Sequence, residues 1–366
     1  MNIALTDIFI YVFYFIICVF ISFLINWIFL RFAKNLSLKN NAEQNQERWK
    51  SDVKPAIGGF SFFIVFLISI SVLSLLNASE HAFGKQIIGI LAASTLGFII
   101  GLADDTYNTN PLVKFMGQLT CAFILILMDV YIPLTNNPAV DFGITTLWII
   151  GLMNSINMLD NMDGITTTAS MVVILSAIIF ALVGVEGNQV YLILLIGVFG
   201  SLTGFLYFNW NPAKIYMGDS GSQFLGVFLA AISIIFFWNQ KDEFGDVFQI
   251  KQFVIPMLVF IVPLIDTFTV SIRRLMRKQS PFVGGRDHTT HHLAYFGLSE
   301  KQVALALIAV ALVSIPMVTV LYMGLIEWTW IVSTLAFVYF LTAFVLMQWI
   351  YNLGKIRQEK KEALVK

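Results

Sequence analysis

Apolar residues run through this chain in eleven stretches, at about 8–30, 58–76, 87–103, 113–132, 143–158, 165–185, 190–208, 222–238, 253–272, 302–323 and 328–351. Most approach the roughly 20 residues that an apolar helix needs to cross a bilayer; 143–158 and 222–238 are among the shortest. The pattern predicts an all-α polytopic membrane protein with about eleven transmembrane helices. The longest polar intervals, 31–57 and 273–301, leave no room for a sizeable soluble domain. Residues 1–352 therefore read as one transmembrane domain and 353–366 as a basic tail.

Basic residues orient these stretches. With the N-terminus outside and the C-terminus cytoplasmic, nineteen of the 22 Lys and Arg residues fall in cytoplasmic segments, leaving Lys85, Lys241 and Lys251 outside. That asymmetry is the positive-inside signature. The composition agrees, since 58% hydrophobic and 12% charged residues contrast with roughly a quarter charged in soluble domains. A formal net charge of zero gives no reason to expect nucleic acid. The first stretch lacks a basic n-region and a small-residue cleavage site, so it reads as a retained helix and not as a secretory signal. Cys18 and Cys121 sit inside apolar stretches and read as buried thiols. Gly97 with Gly101, and Gly200 with Gly204, form GxxxG pairs; close helix packing is the simpler reading, and a homodimer face the alternative.

Almost every polar cluster falls at the cytoplasmic end, in loops at about 31–57, 104–113, 158–165, 209–222 and 273–301. Charge beside a bilayer core is costly, so clusters gathered on one face point to a site. Asp104-Asp105 close one stretch, and Lys114 follows across a short loop. Asn154, Asn157, Asp160 and Asp163 recur every three residues, lining a helix face or a pocket rim, with Gly164 allowing a turn. Between Asn209 and Ser222, Tyr216 supplies an aromatic face and Asp219 a carboxylate among small residues that let backbone approach a phosphate. Mg²⁺ takes oxygen ligands, commonly one or two carboxylates with substrate phosphates, which suits Asp219; the adjacent Asp104 and Asp105 repel each other and are tolerable if a cation or metal sits between them and the substrate. No lysine follows these glycines, so this is not a P-loop. His288, His291 and His292 lie beside Arg286 and after Arg274. Zinc is one reading of the histidines, but the basic, cysteine-free surroundings favour phosphate clamped by imidazolium and guanidinium donors.

Together, Lys54-Pro55-Ala56-Ile57-Gly58-Gly59, Asp104-Asp105 with Lys114, Asn154-x-x-Asn157-x-x-Asp160-x-x-Asp163-Gly164, Pro212 to Ser222 and Asp287-His288-x-x-His291-His292 resemble, in order, the polyprenyl-phosphate N-acetylhexosamine-1-phosphate transferases. The spaced His288-x-x-His291-His292, followed by Leu293 to Ser299, is similar to the UDP-GlcNAc branch; the phospho-MurNAc-pentapeptide translocases typically carry three consecutive histidines. Asn161 departs from the glycine usual there.

The resemblance implies a bacterial enzyme of the cytoplasmic membrane that transfers GlcNAc-1-phosphate from UDP-GlcNAc to undecaprenyl phosphate, releases UMP and starts a cell-surface glycan. It implies Mg²⁺, with Mn²⁺ as a substitute. Asp104, Asp105, Lys114 and Asp219 would be catalytic. Lys54, Asn154, Asn157, Asp160, Asp163, Asn209 and Tyr216 would hold the uridine and sugar, and Arg274, Arg286, His288, His291 and His292 the phosphates. It also offers Asp104 as a general base, but a phosphate monoester with a second pKa near ~6 needs little help at neutral pH. Positioning of metal or lysine is then the better job for Asp104 and Asp105. The alternatives are the translocase, a transferase for another UDP-amino sugar and, from a different class, an anionic-solute transporter, which would place its polar groups near the bilayer midplane.

Overall fold

A computed structural model of the chain describes residues 5–35, 54–76, 84–135, 137–184, 190–239, 250–280, 285, 287–323 and 328–365. Most of the 31–57 loop, Lys241 and Arg286 lie outside the described residues. Thirteen α-helices follow in order among them: α1 (Leu5–Asn35), α2 (Gly58–Leu76), α3 (Lys85–Tyr107), α4 (Pro111–Leu127), α5 (Pro138–Leu159), α6 (Ile165–Val183), α7 (Val190–Asn209), α8 (Gly218–Ser233, extended by π-helical turns to Trp238), α9 (Lys251–Val259), α10 (Ile261–Met276), α11 (Thr289–Phe296), α12 (Glu300–Tyr322) and α13 (Trp330–Val365). Strand geometry is limited, among the described residues, to one bridge between Ala56 and Tyr216.

Nine of these helices are long and apolar enough to cross a membrane, and α9 with α10, bent by 86°, makes a tenth. The expected single span at 253–272 is thus a broken one. Pro263 cannot donate to the carbonyl of Val259, four residues earlier, and Pro256 does the same inside α9. The expected span at 113–132 is shorter than its apolar stretch: α4 has seventeen residues, about 25 Å of helix. In contrast, 143–158 and 222–238 extend into full helices. Asn137 caps α5 ahead of Pro138, and the polar Gly218-Asp219-Ser220-Gly221 turn is already helical in α8. The basic stretch beyond residue 352 continues α13 without a break.

The centre of the bundle is α8, with 94% of its apolar window buried. Small residues bring its neighbours close, as expected where lipid offers no hydrophobic drive for helix association. A Cβ on Gly101 would stand 2.1 Å from the carbonyl oxygen of Asp219, and one on Gly97 2.7 Å from Val227. On α7, Gly200 and Gly204 seat Cys18 and Val19 of α1. Both GxxxG pairs therefore serve packing within the chain.

Candidate functional site

Four short corners build the site. Asn108 ends α3 in the left-handed conformation (φ 49°), Asn110 accepts from the Leu112 N–H, and Pro111 starts α4. This corner folds Lys114 back onto α3, where its Nζ donates to Asp104 Oδ2 at 2.7 Å. The other Asp104 oxygen accepts from the Thr109 N–H at 2.9 Å and from its hydroxyl at 2.6 Å. Residues 55–59 then lie alongside 215–217: Tyr216 N–H donates to Pro55 (2.9 Å), Gly58 N–H to Tyr216 (3.0 Å) and Gly59 N–H to Met217 (3.0 Å). Only glycine permits this approach, since a Cβ on Gly59 would stand 2.3 Å from the Gly221 nitrogen.

At the start of α8, Gly218 turns with φ 78°. Asp105 then accepts the backbone N–H groups of Asp219 (2.8 Å) and Ser220 (2.9 Å), so both its oxygens serve the helix end. Asn157 Nδ2 donates to Asp219 Oδ1 at 2.7 Å and to the Ser222 hydroxyl at 2.9 Å. The Lys114 ammonium consequently stands among three side-chain oxygens: Asp104 Oδ2 at 2.7 Å, Asn157 Oδ1 at 3.3 Å and Asp219 Oδ2 at 3.4 Å. These three oxygens converge on the Lys114 ammonium in a part-buried site; the Asp219 carboxylate among them is the type of donor that a hard cation such as Mg²⁺ takes. Asp105 has another job.

The residues expected at the uridine divide. Tyr216 lies with the Lys54 Nζ 5.3 Å from its ring centre, and Asp160 follows the last turn of α5. Asp163 is turned inward, where its Oδ2 accepts from Ala213 N–H (2.9 Å) and Asn211 Nδ2 (3.0 Å). Asn209 is held by Thr167 (2.7 Å) and donates to the Ile215 carbonyl (3.1 Å). Both hold the 209–217 loop in place. Asn154 lies one turn below Asn157 and pairs with Gln118.

The histidines surround α11. His288 Nδ1 meets Asp266 Oδ2 at 2.9 Å, and the Thr289 N–H donates to Asp266 Oδ1 at 2.8 Å. An ionised carboxylate only accepts, so Nδ1 carries the hydrogen and Nε2 is the atom left for a ligand. Asp266 escaped the sequence reading; its signal was an aspartate inside an apolar stretch. Arg274 forks onto Asp287, with Nε donating at 3.0 Å and Nη2 at 2.6 Å. Burial works to raise the Asp287 carboxyl, but Arg274 and His288 bring it below the usual range. His291 is fully buried, and His292 stacks on Tyr351 with ring centres 3.5 Å apart. Burial, then the charges of His291 and Arg273, push His292 down to about 3. This corrects the expected imidazolium there, because His292 is neutral near pH 7. Among the described residues no cluster of histidine, cysteine and carboxylate side chains suits a zinc ion.

Residues 87–237, which carry every part of the Lys114 nest, match Glycosyl transferase family 4. A decaprenyl-phosphate N-acetylglucosaminephosphotransferase of Mycobacterium leprae is 30% identical over 275 residues, covering 69% of each chain. The chain belongs to glycosyl transferase family 4. It is a multi-pass membrane transferase of that family. A probable undecaprenyl-phosphate N-acetylglucosaminyl 1-phosphate transferase of Bacillus subtilis is similar, at 29% identity over 286 residues (75% of this chain, 76% of the relative). A phospho-N-acetylmuramoyl-pentapeptide-transferase of Desulforamulus reducens is also similar, at 29% over 274 residues (68% of this chain, 76% of the relative).

Proposed function

We propose that this family 4 enzyme transfers GlcNAc-1-phosphate from UDP-GlcNAc to undecaprenyl phosphate at the cytoplasmic face of the membrane, giving undecaprenyl-diphospho-GlcNAc and UMP. The Lys114 nest is the observation that carries the reading. Phosphoryl transfer asks for positioning and charge neutralisation more than for covalent help. A fixed ammonium between two carboxylates at the start of α8 supplies both. In the reaction an oxygen of the lipid phosphate attacks the phosphorus attached to the sugar, and the bond from that phosphorus to the UMP oxygen breaks. Lys114 neutralises charge at the phosphates, Asn157 holds the Asp219 carboxylate, and Asp104 anchors Lys114. Asp219, with the substrate phosphates, would hold Mg²⁺, or Mn²⁺ in its place, which when bound would offset negative charge on the diphosphate. Tyr216, with Lys54 beside it, and Asp160 would line the uridine side. His288 Nε2 and the Arg274 region face the lipid phosphate.

In this reading α4 crosses as the eleventh span by thinning the bilayer locally, with the N-terminus outside and the C-terminus inside, following the division of basic residues. The N-acetylmuramoyl-pentapeptide reaction is the second reading, favoured by the Desulforamulus relative, whereas the spaced His288-x-x-His291-His292 favours GlcNAc. Purified protein incubated with Mg²⁺, undecaprenyl phosphate and each UDP-sugar should release UMP and form lipid product with UDP-GlcNAc. Product from UDP-MurNAc-pentapeptide alone would select the second reading.

A further inference from the structure

Four helices meet at the nest, and three of them, α4, α5 and α8, carry a second polar residue one turn further from the motif-bearing end. Gln118 follows Lys114 by four positions on α4, Gln223 follows Asp219 by four on α8, and Asn154 precedes Asn157 by three on α5. These spacings put both members of each pair on one helix face, about a 5.4 Å turn apart. The deeper residues meet one another as the upper ones do. Gln118 Nε2 donates to Gln223 Oε1 at 3.1 Å and Asn154 Oδ1 at 3.3 Å, and Asn154 Nδ2 returns a bond to Gln118 Oε1 at 3.0 Å.

Stability alone does not ask for this layer. Gln118 and Gln223 are 1% and 0% exposed, and the Gln223 amide nitrogen has no hydrogen-bond partner among the described residues. Apolar side chains would fill the space without that cost. What amides add is direction, since their reciprocal bonds close at one register of the three helices only. Helix α3, which carries Asp104, has no slack against the α8 backbone at this level either: a Cβ on Gly97 would stand 3.1 Å from the main-chain carbonyl oxygen of Gln223.

We infer that Gln118, Asn154 and Gln223 form an amide layer that fixes the register of α4, α5 and α8 and so positions Lys114, Asn157 and Asp219. They are positioning residues, and their part in turnover rests on the transferase reading above. Upper and lower residues hang from the same rigid turn, so a slip that opens the amide layer moves the functional residue with it.

A reciprocal swap tests this. Gln118→Asn shortens one side of the layer by a methylene, and Asn154→Gln lengthens the other. Each single substitution is expected to lower kcat per folded molecule on the order of 10–100-fold, the scale of a displacement near 1 Å, with KM for the nucleotide sugar within about twofold. The double substitution should recover most of the kcat. Lys114 reports the same geometry without substrate: an amine-acylating reagent, read at Lys114 by mass spectrometry, should label Gln118→Asn and Gln223→Leu several times faster than wild type, and the swap at the wild-type rate. Folded single variants with unchanged Lys114 labelling and unchanged kcat would overturn the inference, as would lower folded yield with normal kcat per folded molecule. Faster labelling in the variants, with no transfer even by the wild type, would keep the layer and remove the transferase reading.

Discussion

Asp105 holds Asp219 by its backbone: one carboxylate oxygen accepts the Asp219 N–H at 2.8 Å while the other takes the Ser220 N–H at 2.9 Å. A charge at a helix N-terminus that also satisfies two otherwise unpaired donors is doubly favourable. It leaves the Asp219 carboxylate for Asn157 and Lys114. The adjacent aspartates thus divide the work, Asp104 anchoring the lysine and Asp105 the helix.

Asp105→Asn keeps one acceptor oxygen and loses the charge. It is expected to cost about 1.5–3 kcal/mol of stability, seen as a lower unfolding midpoint in detergent, together with a reduced kcat. A midpoint equal to wild type would remove the capping role.

Asp219→Asn should abolish turnover with little change in the midpoint, since the amide keeps the shape but not the charge that a hard cation needs. Near-normal turnover with unchanged Mg²⁺ dependence would reject Asp219 as a ligand. For Asp104→Asn the loss should be the same at every pH, because Asp104 is engaged by Lys114 and Thr109. A loss that shrinks as pH rises would restore the general-base role.

Tyr216→Ala should weaken competitive inhibition by UMP by about 1–3 kcal/mol, the range for base–aromatic stacking. Unchanged inhibition would take Tyr216 out of the uridine site.

His292 links pH to stability. Its folded value, about 3, lies below the ordinary 6.5, so protonation favours the unfolded chain. Its contribution is complete above 6.5 and is lost progressively as pH falls towards about 3. His292→Phe keeps a ring against Tyr351 without a titrating group, so its midpoint should fall less than the wild type's between pH 7 and about pH 4. Parallel curves would show that His292 takes up its proton alike in the folded and unfolded chain and contributes nothing to the pH dependence.

Hydropathy revealed the membrane helices because apolar runs of that length have few other uses. It could not reveal the break at Phe260, where two prolines act inside one continuous apolar run. Asp104, Lys114, Asn157 and Asp219, which the motifs singled out, come together because each lies near a helix end on one side of the bundle, α3 and α5 by their C-terminal ends and α4 and α8 by their N-terminal ends. Asp163 and Asn209 show the limit of the same reasoning, since a polar residue near a site can be needed to fold its loop. Gln118 and Gln223 went unnoticed as isolated amides in apolar stretches. Their spacing of four from Lys114 and Asp219 was the signal available.

The most direct measurement follows the phosphate next to the sugar. UDP-GlcNAc radiolabelled at that phosphate is incubated with purified protein, Mg²⁺ and undecaprenyl phosphate, and the label is partitioned between lipid and nucleotide. The account predicts labelled lipid and unlabelled UMP, with neither formed by Asp219→Asn. Label retained in released UDP, or absence of lipid product from active wild-type membranes, would contradict it.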